Sequence, residues 1–195
     1  IVLFGDGYIK MNIDDLLFKV SPHSFFQVNT EQMKKLYKKA LEYASLSEND
    51  TVFDLYCGVG SISLYMARDA KRVVGVEIVP DAIENAKENA KQNGIENATF
   101  LCGDANAAEL EGADVIFLDP PRKGCEQSLV DRIAEIALRR VVYISCNPET
   151  QARDVAFLVK NGYRVKKIQP VDMFPHTEHV ETIVLLGRKD IHERI

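Results

Sequence analysis

The sequence predicts an α/β fold: a mostly parallel, seven-stranded sheet whose last strand runs antiparallel, with helices on both faces and a short N-terminal β segment. Three observations predict it. From residue 51 onward, apolar strand-like runs alternate with helical stripes. The helical stretches carry start and stop signals, such as Pro80 and Gly94 around residues 80–92. Successive strand ends carry polar or glycine-rich groups, on the side where open parallel sheets bind ligands.

The elements follow in order. Val2–Phe4 and Tyr8–Asn12 read as strands around Gly5-Asp6-Gly7, a hairpin signal. Asp14-Asp15 turns into a third strand, Leu16–Val20. Residues 1–20 have no core of their own and read as the remnant of a preceding β-domain, with residues 21–195 as the catalytic domain. Met33, Leu36, Tyr37, Ala40, Leu41 and Ala44 form a helical stripe over 31–44, capped by Asn29 or Thr30. Strand Thr51–Leu55 leads through glycines into a helix over 60–69, and strand Arg72–Val76 into a helix over 80–92. Strands Thr99–Cys102 and Asp114–Leu118, a helix over 126–138, strand Val141–Ser145 and a helix over 150–160 continue the alternation. The final strands, Tyr163–Gln169 and Thr182–Leu186, have no helix between them and are expected to pair antiparallel.

Composition narrows the class. The chain has 195 residues, 46% hydrophobic and 27% charged, which is ordinary for a globular domain. Lys plus Arg is 24 against 29 for Asp plus Glu, a net charge of −5. That excludes coating of nucleic acid by bulk charge but leaves room for a local basic face. No apolar run nears the roughly 18 residues of a membrane span, and no signal-peptide pattern is present. No membrane partner is therefore expected, and no protein partner is implied. The first residue is Ile1, which reads as a fragment or a processed product. Cysteines stand at 57, 102, 125 and 146 without a C-x-x-C pair. Zinc, a local redox pair and a disulfide framework are thus disfavoured, and a reducing cytoplasm is implied.

The strand ends hold the chemistry. Asp54-Leu55-Tyr56-Cys57-Gly58-Val59-Gly60 follows the first strand of the alternating region. Gly58 and Gly60 let backbone approach a ligand. The dinucleotide fingerprint needs a third glycine where Ser63 stands, which disfavours hydride transfer with a nicotinamide cofactor. Glu77 sits where an acid binds two ribose hydroxyls, and Asp104 where one accepts from an adenine amino group. Asp119-Pro120-Pro121 is a stiff, extended loop that holds Asp119 at the bottom of a cleft.

These residues carry a resemblance. The chain resembles Rossmann-like class I methyltransferases that use S-adenosylmethionine. More closely, it is similar to the RNA uracil-5-methyltransferase family, which acts on tRNA and ribosomal RNA. The matching segments are Phe25-Phe26-Gln27-Val28-Asn29, Asp54–Gly60, Asp119-Pro120-Pro121-Arg122, Ser145-Cys146-Asn147-Pro148 and His179-Val180-Glu181-Thr182. They span roughly residues 20–188. The resemblance implies cofactor contacts at Gln27, Tyr56, Glu77 and Asp119, with Cys146 as nucleophile and Glu181 as general base. It implies methylation of C5 of a uridine, with 23S rRNA favoured over tRNA as the RNA, and no metal.

The chemistry needs those residue types. C5 of uracil is a poor nucleophile until a thiolate adds at C6, and the C5 proton must later be removed so that the thiol can leave. Cys146 lies just ahead of a predicted helix, whose N-terminus is expected to lower its pKa. A stacked target base must be flipped out against a flat surface, for which Phe25, Phe26 and Tyr56 are candidates. Arg122, Lys123, Arg139, Arg140, Arg153, Lys166 and Lys167 are candidates for a phosphate-facing surface, and His176 and His179 flank Glu181. The competing readings are an RNA or DNA amino-methyltransferase with an Asp-Pro-Pro loop, a cytosine-5-methyltransferase and a non-catalytic nucleoside-binding module. The first places an aromatic residue where Arg122 stands and needs no cysteine.

Overall fold

The structure is a computed structural model that describes residues 7–189. Strands β1 (Ile9–Ile13) and β2 (Leu16–Val20) form an antiparallel hairpin. Then come α1 (Thr30–Ala44), β3 (Thr51–Leu55), α2 (Ser61–Met66), β4 (Arg72–Glu77) and α3 (Pro80–Gln92). The chain continues with β5 (Ala98–Cys102), a 3-10 turn at Ala105–Ala107, β6 (Val115–Leu118), α4 (Gln127–Ile136) and β7 (Arg140–Ser145). It ends with α5 (Pro148–Lys160), β8 (Tyr163–Val171) and β9 (Glu181–Arg188).

The main sheet has seven strands in the order β5-β4-β3-β6-β7-β9-β8. β5 through β7 pair in parallel, while β9 lies antiparallel between β7 and β8. The inner strands are buried on both faces, which is why they read as continuous apolar runs such as Val115–Leu118. One core holds Leu36, Leu64 and Ile83 of α1, α2 and α3; the other holds Leu129, Ile133 and Leu158 of α4 and α5. Strand order reverses between β3 and β6, which opens a crevice beyond their carboxyl ends.

Boundaries differ from the sequence expectation by a few residues. The helix expected over 60–69 ends at Met66, where bonds from Arg68 N to Tyr65 O and Asp69 N to Met66 O tighten the chain into a turn. α4 stops at Ile136 because Ala137 turns left-handed, at φ 58°. The expected strand Val2–Phe4 lies outside the described residues.

The hairpin shares the core of the domain. Ile13, Leu16, Phe18 and Val20 are buried with Met33, Leu36 and Ile83. Its outer edge is fastened by α3. Asn93 accepts from Leu17 N at 2.9 Å and donates to Leu17 O at 2.7 Å. Asn89 accepts from Lys19 N at 2.7 Å and donates to Lys19 O at 3.1 Å. The fit is geometric: four helical residues rise about 6 Å, and two strand residues about 6.6 Å. Fully buried, Asn89 also donates to Val59 O at 3.1 Å, in the glycine-rich loop after β3. Asn89→Ala is expected to cost roughly 2–4 kcal/mol, because it strands several partly buried backbone groups at once. Asn93→Ala costs less, since Gln92 Nε2 still reaches Leu17 O at 2.6 Å. Urea unfolding of both variants checks the order.

Candidate active site

A cleft of about 710 Å³ fills the crevice. Gln27, Tyr56, Gly58, Glu77, Asp104, Asp119, Cys146 and Glu181 all line it, which is eight of the nine residues the sequence singled out. Gly60 is not among the lining residues. At φ 79° it caps α2, and a Cβ there would stand 2.9 Å from the Phe100 ring and 3.2 Å from Ala86. Gly60 is therefore required by backbone conformation and packing.

The loop after β3 is bent by Tyr56 at φ 72° and Gly58 at φ 55°. Tyr56 N and Cys57 N both donate to Val76 O, at 2.9 and 3.0 Å. This bend brings Gly58 N to Glu77 Oε2 at 3.2 Å, while Val79 N donates to Oε1 at 2.9 Å. Two amides thus orient the Glu77 carboxylate and leave each oxygen further acceptor capacity. Beneath the loop, buried Asp54 accepts from Ser63 Oγ. Ser63 serves this buried carboxyl, so its departure from the dinucleotide fingerprint has a local cause. Burial pushes Asp54 up to about 7, with the Glu77 charge adding to it.

The loops after β6 and β7 are tied into one wall. Asn147 Oδ1 caps α5 by accepting from Glu149 N at 3.0 Å. Its Nδ2 donates to Arg122 O at 3.0 Å, and Thr150 Oγ1 donates to the same carbonyl at 3.1 Å. Farther along, Asp154 accepts from Cys125 N, Tyr143 Oη and Arg153 Nε at 2.9, 2.7 and 2.8 Å. Sequence reasoning missed Asn147, Thr150 and Asp154 as supports. An Asn directly before a helix-opening Pro was the readable signal for the first.

Within this wall Asp119 is half-buried, and its carboxyl lies well above the usual range through burial and the nearby Glu181 and Asp54 charges. Glu181, 4% exposed, is raised by burial and lowered by Arg122. Its Oε2 is buried without a partner, as is Oε1 of Gln27, which is 7% exposed. The Cys146 thiol corrects the sequence expectation: it is raised, first by burial and then by Glu181, with Arg122 opposing. Asn147 Oδ1 takes the first free amides of α5, those of Glu149 and Thr150. Arg122 Nη2 in turn donates to His179 Nδ1 at 2.8 Å.

The aromatic candidates separate. Phe26 packs on the core, its ring 6.1 Å from that of Phe18, whereas Phe25 is 72% exposed and lines the cleft beside Tyr56. The seven basic candidates do not form one face. Arg139 pairs with Asp50 at 2.6 Å, Arg140 donates to Ser45 O at 2.7 Å, and Lys167 sits over the Tyr43 ring at 4.9 Å. Of the seven, Arg122 and Lys123 line the cleft. Among the described residues no cluster of three or more His, Cys, Asp or Glu side chains is arranged to hold a metal. Nor is any helix there long and apolar enough to cross a membrane.

Residues 46–170 match the methyltransferase domain family. A Bacillus cereus protein described as an uncharacterized RNA methyltransferase is 53% identical over 193 residues, 96% of this chain and 42% of that protein. A relative of like description from Clostridium acetobutylicum is 51% identical, over 97% of this chain and 43% of its own length. The chain therefore spans less than half the length of these relatives. Among solved structures, the Pyrococcus abyssi tRNA (uracil-54, C5)-methyltransferase in complex with S-adenosyl-L-homocysteine matches with a TM-score of 0.84. Its identity is 37%, covering 94% of this chain and 45% of that one. A tRNA m1G37 methyltransferase of M. jannaschii shares the fold at a TM-score of 0.75 and 17% identity, covering 97% of this chain and 60% of that one.

Two outcomes follow from the charges. Arg122 holds the Cys146 thiol down, so Arg122→Ala is expected to move its alkylation profile to higher pH. The rate near pH 8 should fall, because a higher thiol pKa leaves less thiolate at that pH. Iodoacetamide labelling with peptide mapping separates Cys146 from exposed Cys102. Asp54 holds its proton more tightly folded than unfolded, so it contributes stability below its unfolded pKa that is lost as pH rises from about 4 to about 7. Asp54→Asn should make that fall in stability shallower, as read from urea midpoints across the window.

Proposed function

The chain belongs to the methyltransferase domain family, and from that premise we propose that it uses S-adenosylmethionine to methylate C5 of a uridine in RNA, through a covalent bond from Cys146 to C6. One observation carries this reading: a thiol and a buried carboxylate, Cys146 and Glu181, line the same cleft as the nucleoside-type residues Glu77 and Asp104. The names of the relatives support an RNA substrate, and that of the Pyrococcus abyssi enzyme supports uracil C5.

The residues present fit the cofactor. Glu77 has acceptor capacity for two ribose hydroxyls, and Gln27 Oε1 is a buried acceptor without a partner. Asp119 and Glu181 make the cleft hospitable to a cation. When bound, S-adenosylmethionine supplies an electrophilic methyl group on a sulfonium.

The chain's own residues do the rest. Cys146 thiolate adds to C6 of uracil, and the electron pair moves to C5 and the C4 carbonyl to give an enolate. The enolate pair at C5 would then take the methyl, with the broken sulfur–methyl pair staying on the cofactor's sulfur as a neutral thioether. Glu181 removes the C5 proton, the C5–C6 double bond re-forms, and the Cys146 sulfur leaves with the C6–S electron pair. Burial suits Glu181 to this step, because a carboxylate held above its ordinary pKa is a stronger base. Exposed Phe25 offers a flat surface at the cleft for the flipped base.

Glu181→Gln keeps size and removes basicity. It is expected to slow product release by roughly 10²–10⁴-fold, the usual worth of a placed base. With methyl-labelled cofactor, and 23S rRNA fragments and tRNA offered side by side, it should give a labelled protein–RNA band shifted upward on a denaturing gel. The band should vanish in the double variant with Cys146→Ala. A band that persists without Cys146, or full turnover in Glu181→Gln, overturns the assignment of that residue.

A further inference from the structure

A side-chain bridge joins the loop after β6 to the loop before β9. Arg122 Nη2 donates to His179 Nδ1 at 2.8 Å, although the two residues stand 57 positions apart. A guanidinium carries only N–H donors, so Nδ1 is the acceptor and the ring proton sits on Nε2. Both residues are exposed, and Arg122 lines the cleft together with Cys146 and Glu181.

An exposed arginine left alone samples many rotamers. Arg122 is held at both ends. Its carbonyl accepts from Asn147 Nδ2 at 3.0 Å and from Thr150 Oγ1 at 3.1 Å, and its guanidinium meets His179. The imidazole is itself built in. His179 N donates to Thr177 Oγ1 at 3.2 Å, and Thr177 Oγ1 donates to Phe174 O at 2.7 Å. Next to Phe174, Met173 is fully buried, and its carbonyl accepts from Asn29 Nδ2 at 3.1 Å just ahead of α1. The Nδ1 acceptor thus stands on a loop pinned to the core.

The guanidinium matters because of what surrounds it. Asp119, Glu181 and Cys146 share the cleft with two cationic side chains, Arg122 and Lys123. Lys123 pairs with Glu126 at 2.5 Å, which leaves Arg122 to face the thiol and the carboxylate. A charge acts according to the distance at which it is held. We propose that His179 is a positioning residue, whose Nδ1 holds the Arg122 guanidinium beside the Cys146 sulfur and the Glu181 carboxylate. Held there, the guanidinium favours the thiolate against burial and the nearby carboxylates. This task for His179 rests on the uracil C5 reading, in which the Cys146 thiolate is the nucleophile.

The test reads the thiol alone, without RNA or cofactor. Its failure is therefore distinct from failure of the uracil reading, which the protein–RNA band decides. Cys146 alkylation by iodoacetamide is followed across pH with peptide mapping. His179→Phe keeps a flat ring and removes the acceptor. It is expected to move the alkylation midpoint to higher pH, in the direction of Arg122→Ala and by no more than that variant does. His179→Asn, whose side-chain oxygen can stand near the place of Nδ1, is expected to restore most of the shift. In the Arg122→Ala background, His179→Phe should add nothing, because residues that act as one unit are not additive. An unchanged midpoint in folded His179→Phe overturns the proposal, as does a folded His179→Asn that behaves like His179→Phe. So does an additive shift in the double variant, which makes His179 act on the thiol by itself. A change confined to the plateau rate reports access alone and overturns it too. If His179→Phe does not fold, His179→Ala is read against the same outcomes.

Discussion

The parallel pairing of β3 with both β4 and β6 is the constraint on which the site depends. A chain that leaves the sheet centre toward one edge and returns to the other side of β3 must open its loops away from each other at that point. The loops after β3 and β6 then diverge, and the space between them is the cleft. Gly58 and Tyr56, both left-handed, take the first loop back over β4 toward Glu77. Pro120 and Pro121 hold the second extended. The strand interior is apolar because it is covered on both faces, so chemistry has nowhere to collect except at these ends.

The cleft concentrates negative charge around a single guanidinium. Burial raises Asp119, Glu181 and Cys146 alike; the Glu181 charge adds to this at Asp119, and Glu181 and Asp119 add to it at Cys146. Arg122 opposes this at Cys146 and Glu181. Its placement is not left to its own side chain, since its carbonyl is gripped by Asn147 and Thr150 at the start of α5. The same Asn147 that caps the helix thus holds the loop that tunes the thiol next to it. Cap, loop and charge balance are one structural unit.

Much of this was legible in the sequence, for a physical reason. Fully buried strands must be apolar runs, helices must be capped, and a ligand site in such a sheet must sit at the carboxyl ends. Leu16–Val20, Thr51–Leu55 and the helix over 80–92 were placed to the residue, and the other expected elements among the described residues to within a few residues. What was not legible depends on long-range contact. Gly58 and Gly60 look alike in sequence, yet one lines the cleft and the other packs on Phe100 from β5. Arg139 looks like a phosphate contact until Asp50 is found beside it. The Cys146 thiol looks activated by a helix until Glu181, thirty-five positions on, is brought to it by β9.

The hairpin shows how far such contact reaches. Its strands have too few residues to bury a core alone. They become part of the domain because α3 carries amides at the spacing of a strand edge. Asn89 joins Lys19 to Val59, and Asn85 Nδ2 donates to Ser21 Oγ at 2.7 Å and Ser24 Oγ at 3.0 Å. The segment held in this way leads directly into Phe25 and Gln27, two residues of the cleft. α3 also begins three residues after Glu77. One helix therefore fixes the glycine loop, Glu77 and the N-terminal wall relative to one another, and its polar face is what closes the site.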